Sequence, residues 1–248
     1  MRNIIYKDEY IKIDSGYFFG RGVFETILIK EKPIFLKEHI ERLNKGIEYL
    51  NLGDKIEEKF VLDKIKYYNI KNKALKIIVS EKNLILEDRE LTYTKEDYNN
   101  GFSLKLSQVI RSSKSDILKI KSINYLENII EREKALKEGF NEVIFFNEKG
   151  FLTEGSISNI FIIKDKKIYT PHENSGLLNG TVRSFLVKNY KVKEKNISLE
   201  DMINCDEIFI TNSLMGVMKV SKFEDKIYKE SKITESIRRE YEDKIRRI

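Results

Sequence analysis

Residues 124–171, NYLENIIEREKALKEGFNEVIFFNEKGFLTEGSISNIFIIKDKKIYTP, change their hydrophobic period once, and that change decides the fold class. In the first sixteen residues Leu126, Ile129, Ile130, Glu133 and Leu136 recur along one side of a helix that begins near Asn124, and Gly139 is placed as its C-cap. Beyond Gly139 the pattern becomes short apolar runs between turn residues. EVIFF (142–146), NIFIIK (159–164) and KIYTP (167–171), the last two flanking a lysine-aspartate turn, predict strands of a largely antiparallel sheet, which EIFIT (207–211) continues. TVRSFLVKNY (181–190) predicts an intervening helix, and SIRREYEDKIRRI (236–248) a surface helix.

Upstream, VFETILIK (23–30) and PIFLK (33–37) read as strands around a Glu31-Lys32 turn, and Ile40, Leu43, Ile47 and Leu50 share one face of a following helix. A second helix runs through DKIEEKFVLDKIKYY (54–68), then two strands, LKIIVSEK (75–82) and FSLKLSQVI (102–110). The polar run Ser112-Ser113-Lys114-Ser115-Asp116 is the best boundary. It predicts an N-terminal α/β lobe over 1–111, a linker over 112–118 and a C-terminal α/β lobe over 119–248. The fold class is α/β (α+β), and 248 residues are enough to bury a substantial core without disulfides.

Composition narrows the function classes. Lys+Arg 46 against Asp+Glu 40 leaves a formal charge of +6, but the signs alternate, as in EEKFVLDKIK, whereas a nucleic-acid groove wants clustered cations with few acids among them. No stretch approaches the roughly 20 apolar residues of a membrane span. The single cysteine, Cys205, forms no intramolecular disulfide and has no activating neighbours, which fits a reducing cytoplasm. His39 and His172 stand alone, without metal-ligand spacing, so no metal is expected. Gly20-Arg21-Gly22 precedes a strand rather than opening a helix, which argues against a nucleotide loop.

Several spaced motifs agree in order across nearly the whole chain: DSGYFFGRGVFET (14–26), EHIERL (38–43), KSINYLEN (121–128), GFLTEGSISNIFII (150–163), LLNGTVR (177–183) and ITNSLMGVMKV (210–220). Together they resemble the class IV, or fold-type IV, enzymes dependent on pyridoxal 5′-phosphate (PLP). That family contains branched-chain aminotransferases, D-amino acid aminotransferases and 4-amino-4-deoxychorismate lyases. The resemblance implies a two-lobed fold, a homodimer and PLP held as a Schiff base on Lys121, three residues before Asn124; Lys119 is the alternative. A lysine suits the role because its free amine condenses with an aldehyde and, once displaced, shuttles protons at the reacting carbon; burial beside a cationic ring should favour that free amine.

By the same resemblance Glu154 pairs with the pyridine nitrogen, keeping it protonated so that the ring accepts electrons. Gly180-Thr181-Val182-Arg183 stands where the family has Gly-Ile-Thr-Arg, so the backbone amides of Thr181 and Val182 carry over to the phosphate, and Leu178 belongs to the same cradle. Arg42 and Ser213 are further phosphate contacts, and Asn159 and Tyr125 match positions near the phosphate and the ring oxygen. GVFETI, KSINYLEN and TNSLMGVMKV look most like the lyases, which release pyruvate and leave 4-aminobenzoate for folate synthesis. D-Amino acid enzymes place a tyrosine at Phe24 and an Arg-x-His trap on the strand that here reads KIIVSEKNL. Lys219 and Arg21 depart from the lyase pattern, where proline and aspartate are common. Phe24 is therefore expected to face substrate, with Arg89 and Arg111 docking its carboxylates. Transamination of a small or branched-chain amino acid is the alternative activity, and a non-catalytic PLP-binding regulator the alternative of another class.

Overall fold

The computed structural model describes residues 2–7 and 10–247. Its contacts divide the chain into two compact units, the first holding residues up to Thr92 together with Ile120–Tyr125, the second Tyr93–Lys119 and Leu126–Arg247. No helix among the described residues is long and apolar enough to cross a membrane.

The first unit contains β1 (Asn3–Tyr6), α1 (Ser15–Phe19), β2 (Val23–Ile29), α2 (Leu36–Tyr49), α3 (Glu58–Tyr67), β3 (Lys73–Val79) and β4 (Asn83–Arg89). Its sheet runs β1-β4-β3-β2, with only β1 and β4 parallel. Strand alternation sorts the side chains: Val23, Ile27, Leu75, Ile77, Val79, Leu84 and Leu86 point to one face, where they bury against Ile40, Leu43 and Ile47 of α2. The opposite face carries Phe24, Thr26, Lys76 and Ile78. The strand expected over PIFLK does not form. Only a single bridge joins Pro33 to Ile29, and Phe35, in the left-handed region at φ 54°, turns the chain directly into α2.

The second unit contains α4 (Lys95–Asn100), β5 (Phe102–Arg111), α5 (Leu126–Lys137), β6 (Glu142–Asn147), β7 (Leu152–Gly155), β8 (Asn159–Lys164) and β9 (Lys167–Pro171). It continues through α6 (Thr181–Asn189), β10 (Val192–Lys195), α7 (Leu199–Asn204), β11 (Glu207–Asn212), β12 (Gly216–Phe223), β13 (Lys226–Ile227) and α8 (Lys232–Ile245). Its sheet is ordered β10-β9-β8-β11-β12-β5-β6-β7, with β13 beside β12. The run β9-β8-β11-β12 is antiparallel, as the alternation predicts, while β5 pairs in parallel with both β12 and β6. That pairing moves the boundary. β5, expected to close the first lobe, is an interior strand of the second sheet, so the break falls after Thr92 rather than after Arg111.

Two helices resolve differently from their sequence patterns. α8 buries Ile237, Tyr241 and Ile245, and Ile248 lies outside the described residues. In α5 the predicted apolar seam faces outward: Leu126, Ile129, Ile130 and Leu136 are exposed, while Glu131 and Ala135 are the buried residues. Cys205 is buried, its Sγ donates to the Met202 carbonyl (3.1 Å), and burial pushes its thiol up to about 12.

Candidate functional site

Within the first unit, residues 120–125 run as an extra strip along the start of β2. The Phe24 amide donates to the Lys121 carbonyl (2.9 Å), the Ile123 amide to Gly22 (3.0 Å), and Ser122 bridges to Val23. This pairing fixes the backbone of Lys121 against the residue on whose ring its side chain lies. Lys121 Nζ is 4.4 Å from the centre of the Phe24 ring and 5.8 Å from that of Tyr125, and the two rings meet edge to face at 5.3 Å. Lys119 is instead exposed in a short 3₁₀ turn, where its Nζ donates to Asp116 (2.8 Å).

One residue further along β2, alternation sends Glu25 to the core face, where it is fully buried. Arg42 forks onto it through Nε (2.7 Å) and Nη2 (2.8 Å), and His39 Nδ1 lies 2.6 Å from Oε2. Burial alone would raise the Glu25 carboxyl, but the Arg42 charge and the His39 contact outweigh it and hold it at about 2. Burial lowers the His39 imidazole against the pull of Glu25, and the positive charges of Arg42 and Lys121 lower it further. A neutral ring donating its Nδ1 hydrogen to a carboxylate follows. The spacing His39-x-x-Arg42 on α2, one turn apart and facing β2, was the available signal for this triad; Glu25 and His39 carried no functional expectation.

Within the second unit, Glu154 sits near the end of β7 and Asn159 at the start of β8, both against the segment that leads into α6. Glu154 Oε2 accepts from the Leu178 amide (3.0 Å) and lies 3.5 Å from Asn159 Nδ2. Asn159 in turn donates to the Leu178 carbonyl (2.8 Å) and accepts from the Gly180 amide (3.1 Å). A Cβ on Gly180 would stand 2.1 Å from Asn159 Oδ1, so this close approach requires glycine. Gly180 is also the N-cap of α6 and makes no side-chain cap, so the helix begins with the Thr181 and Val182 amides at the positive end of its dipole. Arg183 is spent on structure: it is buried and holds Asn179, the Pro171 carbonyl and Glu194.

The strand pairing places Thr211 of β11 opposite Asn159, and its buried Oγ1 has no hydrogen-bond partner among the described residues. Next to it, Asn212 Oδ1 accepts from the amides of Leu214 (3.0 Å) and Met215 (2.9 Å), which shapes the turn carrying Ser213. Thr211 carried no expectation from sequence, although it stands two residues before Ser213 in the same motif.

The two arginines expected to meet substrate have different surroundings. Arg111 is buried, its guanidinium lies 3.9 Å from the Phe145 ring centre, and it is held by Glu127 (2.5 Å) and Asn128 (2.9 Å), so its donors serve the α5–β5 packing. Arg89 is exposed at the far end of β4, opposite Ala74 and hence Leu28, four residues along β2 from Phe24. At the strand rise this is about 13 Å along the sheet. Another cation, Lys76, stands nearer Phe24 than Arg89 does. It pairs with Thr26, shares the face of Phe24, and brings its Nζ to 5.2 Å from the same ring centre. The alternation of LKIIVSEK could have shown this.

These groups suit PLP by their chemistry. A helix N-terminus led by a glycine, with an unsatisfied buried hydroxyl beside it, meets an acidic phosphate; a carboxylate meets a basic ring nitrogen; a primary amine among aromatic rings meets an aldehyde. Among the described residues no group of His, Cys, Asp or Glu forms a metal cluster.

The fold and these two groups of residues define a PLP-dependent enzyme. Residues 22–223 match the model of amino-transferase class IV, and the chain belongs to that family. It is 29% identical over 239 residues to the aminodeoxychorismate lyase of Bacillus subtilis, covering 87% of this chain and 82% of that one. It is 30% identical over 236 residues to the D-alanine aminotransferase of Staphylococcus haemolyticus, covering 85% and 82%. The crystal structure of 4-amino-4-deoxychorismate lyase from Pseudomonas aeruginosa superposes with a TM-score of 0.83 over 97% of this chain and 95% of that one, at 19% identity.

Proposed function

We propose that the chain is a cytoplasmic, homodimeric lyase that takes 4-amino-4-deoxychorismate to 4-aminobenzoate and pyruvate. The observation that carries this reading is the pair of lysines on one ring: Lys76 and Lys121 both reach Phe24, so a cation for a substrate carboxylate stands beside the reacting amine. The likeness to the Bacillus subtilis lyase supports it.

When bound, PLP supplies an electron sink for the carbon that bears the substrate's nitrogen. Lys121 is the residue that would hold the cofactor, through its Nζ. Its Nζ would take the proton from the nitrogen-bearing ring carbon as the neighbouring C–O bond breaks, and would return that proton to the departing enolpyruvate, which leaves as pyruvate while the ring becomes aromatic. Glu154 would keep a proton on the pyridine nitrogen, and the Leu178 amide orients that carboxylate. The Thr181 and Val182 amides, Ser213 and Arg42 are the groups that would hold the phosphate, with Thr211 added to them, and Asn159 and Tyr125 would lie near the phosphate and the ring oxygen. Lys76 receives a carboxylate of the dianionic substrate, the task first expected of Arg89 and Arg111.

The second reading, transamination of a small amino acid, rests on comparable likeness to a D-alanine aminotransferase. The two readings part on product. Purified protein given the aminodeoxychorismate-forming system should accumulate 4-aminobenzoate, and should turn over L- or D-amino acids with 2-oxoglutarate far more slowly. The reverse order would overturn the lyase reading.

Exposed apolar side chains support the homodimer in each unit separately: Tyr17, Phe18 and Phe19 on α1, and the outward seam of α5. Light scattering should give twice the chain mass of 29.3 kDa; an active monomer would refute the assembly.

A further inference from the structure

The carboxylate of Glu142, first residue of β6, is buried and ringed by donors. Oε1 accepts from the Val143 amide (2.9 Å), the Ser156 amide (3.2 Å) and the Ser156 hydroxyl; Oε2 accepts from the Ile157 amide (3.2 Å) and the Ser158 hydroxyl (2.9 Å). No lysine, arginine or histidine forms an ion pair with it among the described residues. A buried anion without a counter-ion is costly unless hydrogen bonds satisfy it, and an apolar residue would fill the start of a strand more cheaply. Every donor except the Val143 amide belongs to Ser156-Ile157-Ser158. That tripeptide is the link between Glu154-Gly155, ending β7, and Asn159, opening β8.

The link has little freedom left. The Gly155 amide donates to the Ser158 carbonyl (2.7 Å), Asn128 Nδ2 donates to the Ser156 carbonyl (2.7 Å), and a Cβ on Gly155 would stand 2.3 Å from Ser158 Oγ. Both ends of the link bond the same segment before α6, Glu154 through the Leu178 amide and Asn159 through the Leu178 carbonyl and the Gly180 amide. Moving the turn therefore moves Glu154 and Asn159 relative to Leu178.

We infer that Glu142 is a positioning residue: its charge folds the 155–158 turn around itself and thereby sets where the Glu154 carboxylate stands. This rests on Glu154 being the partner of the pyridine nitrogen. In Glu142→Gln the side-chain NH₂ must replace one oxygen. The Ser158 hydroxyl can rotate to accept from it, but the Ile157 amide, like those of Val143 and Ser156, can only donate. One backbone bond to the turn is lost wherever the amide is placed.

The test uses holoprotein reconstituted with PLP labelled with ¹⁵N at the ring nitrogen, comparing wild type, Glu142→Gln, the double variant Ser156→Ala/Ser158→Ala, and Glu154→Gln as reference. Expected in the first two variants is a ring-nitrogen resonance displaced toward the unprotonated pyridine, as in Glu154→Gln though by less. With it should come a fall in kcat of roughly 10-fold or more and a KM within a few-fold of wild type. A melting temperature lowered with a wild-type nitrogen resonance and kcat would overturn the inference, leaving Glu142 a structural carboxylate. Should Glu142→Gln fail to fold, the serine variant decides alone, and a wild-type resonance in it overturns the inference. A wild-type resonance in Glu154→Gln would instead remove Glu154 as ring partner, which is a separate failure.

Discussion

Lys121 and Phe24 are joined twice, by a 2.9 Å backbone hydrogen bond from the Phe24 amide and by the lysine Nζ 4.4 Å from the ring centre. The first contact holds the lysine backbone to β2, and the second sets its Nζ above an aromatic face, a contact worth about 0.5–2 kcal/mol while the group is an ammonium. The ring confines the group proposed both to bind an aldehyde and to move a proton.

Phe24→Leu keeps an apolar side chain on the same strand but removes the aromatic face. PLP should still attach to Lys121, since the backbone bond survives, while turnover falls by roughly 3- to 30-fold as the amine loses its fixed position. Borohydride reduction with peptide mapping reads attachment, and steady-state kinetics reads turnover. Unchanged kcat in a fully loaded variant would show that the ring does not position the amine.

Glu154→Gln preserves shape and can still accept from the Leu178 amide, but cannot hold a proton on the pyridine nitrogen by charge. Turnover should fall about 10²-fold or more, about 2.7 kcal/mol of transition-state stabilisation, with PLP occupancy little changed. Visible absorbance, melting temperature and kcat measured on one preparation separate this from a folding defect. Wild-type turnover in the loaded, folded variant would exclude the assignment.

Acid should destabilise the protein in two stages. His39 is lowered in the fold, so below about pH 6.5 the unfolded chain takes up a proton that the folded chain refuses, and stability falls as pH falls. Glu25, held at about 2, adds stability that is complete above its ordinary value of 4.5 and is lost from there toward 2. His39→Gln keeps a donor for Glu25 and removes the upper stage. Its melting temperature should change little between about pH 7 and 5, where wild type declines. Parallel declines in the two proteins would contradict a buried neutral His39.

The order of most elements was legible in the sequence, because local hydrophobic period records it; the motifs singled out Lys121, Glu154 and the glycine before α6, and the structure sets Lys121 on the Phe24 ring and Glu154 and Gly180 on Leu178 and Asn159. Strand alternation also carried more than was first drawn from it, since it assigns Glu25 and Phe24 to opposite faces of β2 and Lys76 to the face of Phe24. Long-range pairing decided the rest. That β5 lies between β12 and β6, and so belongs to the second unit, depends on partners far away in the chain. Arg111 and Arg89 look alike as isolated cations; only packing gives the first to Glu127 and Asn128 and leaves the second at the far end of its sheet. The same is true of α5, whose apolar seam reads as a core face by its spacing alone. A period states which residues share a face, but which face is covered depends on what the rest of the chain packs against it.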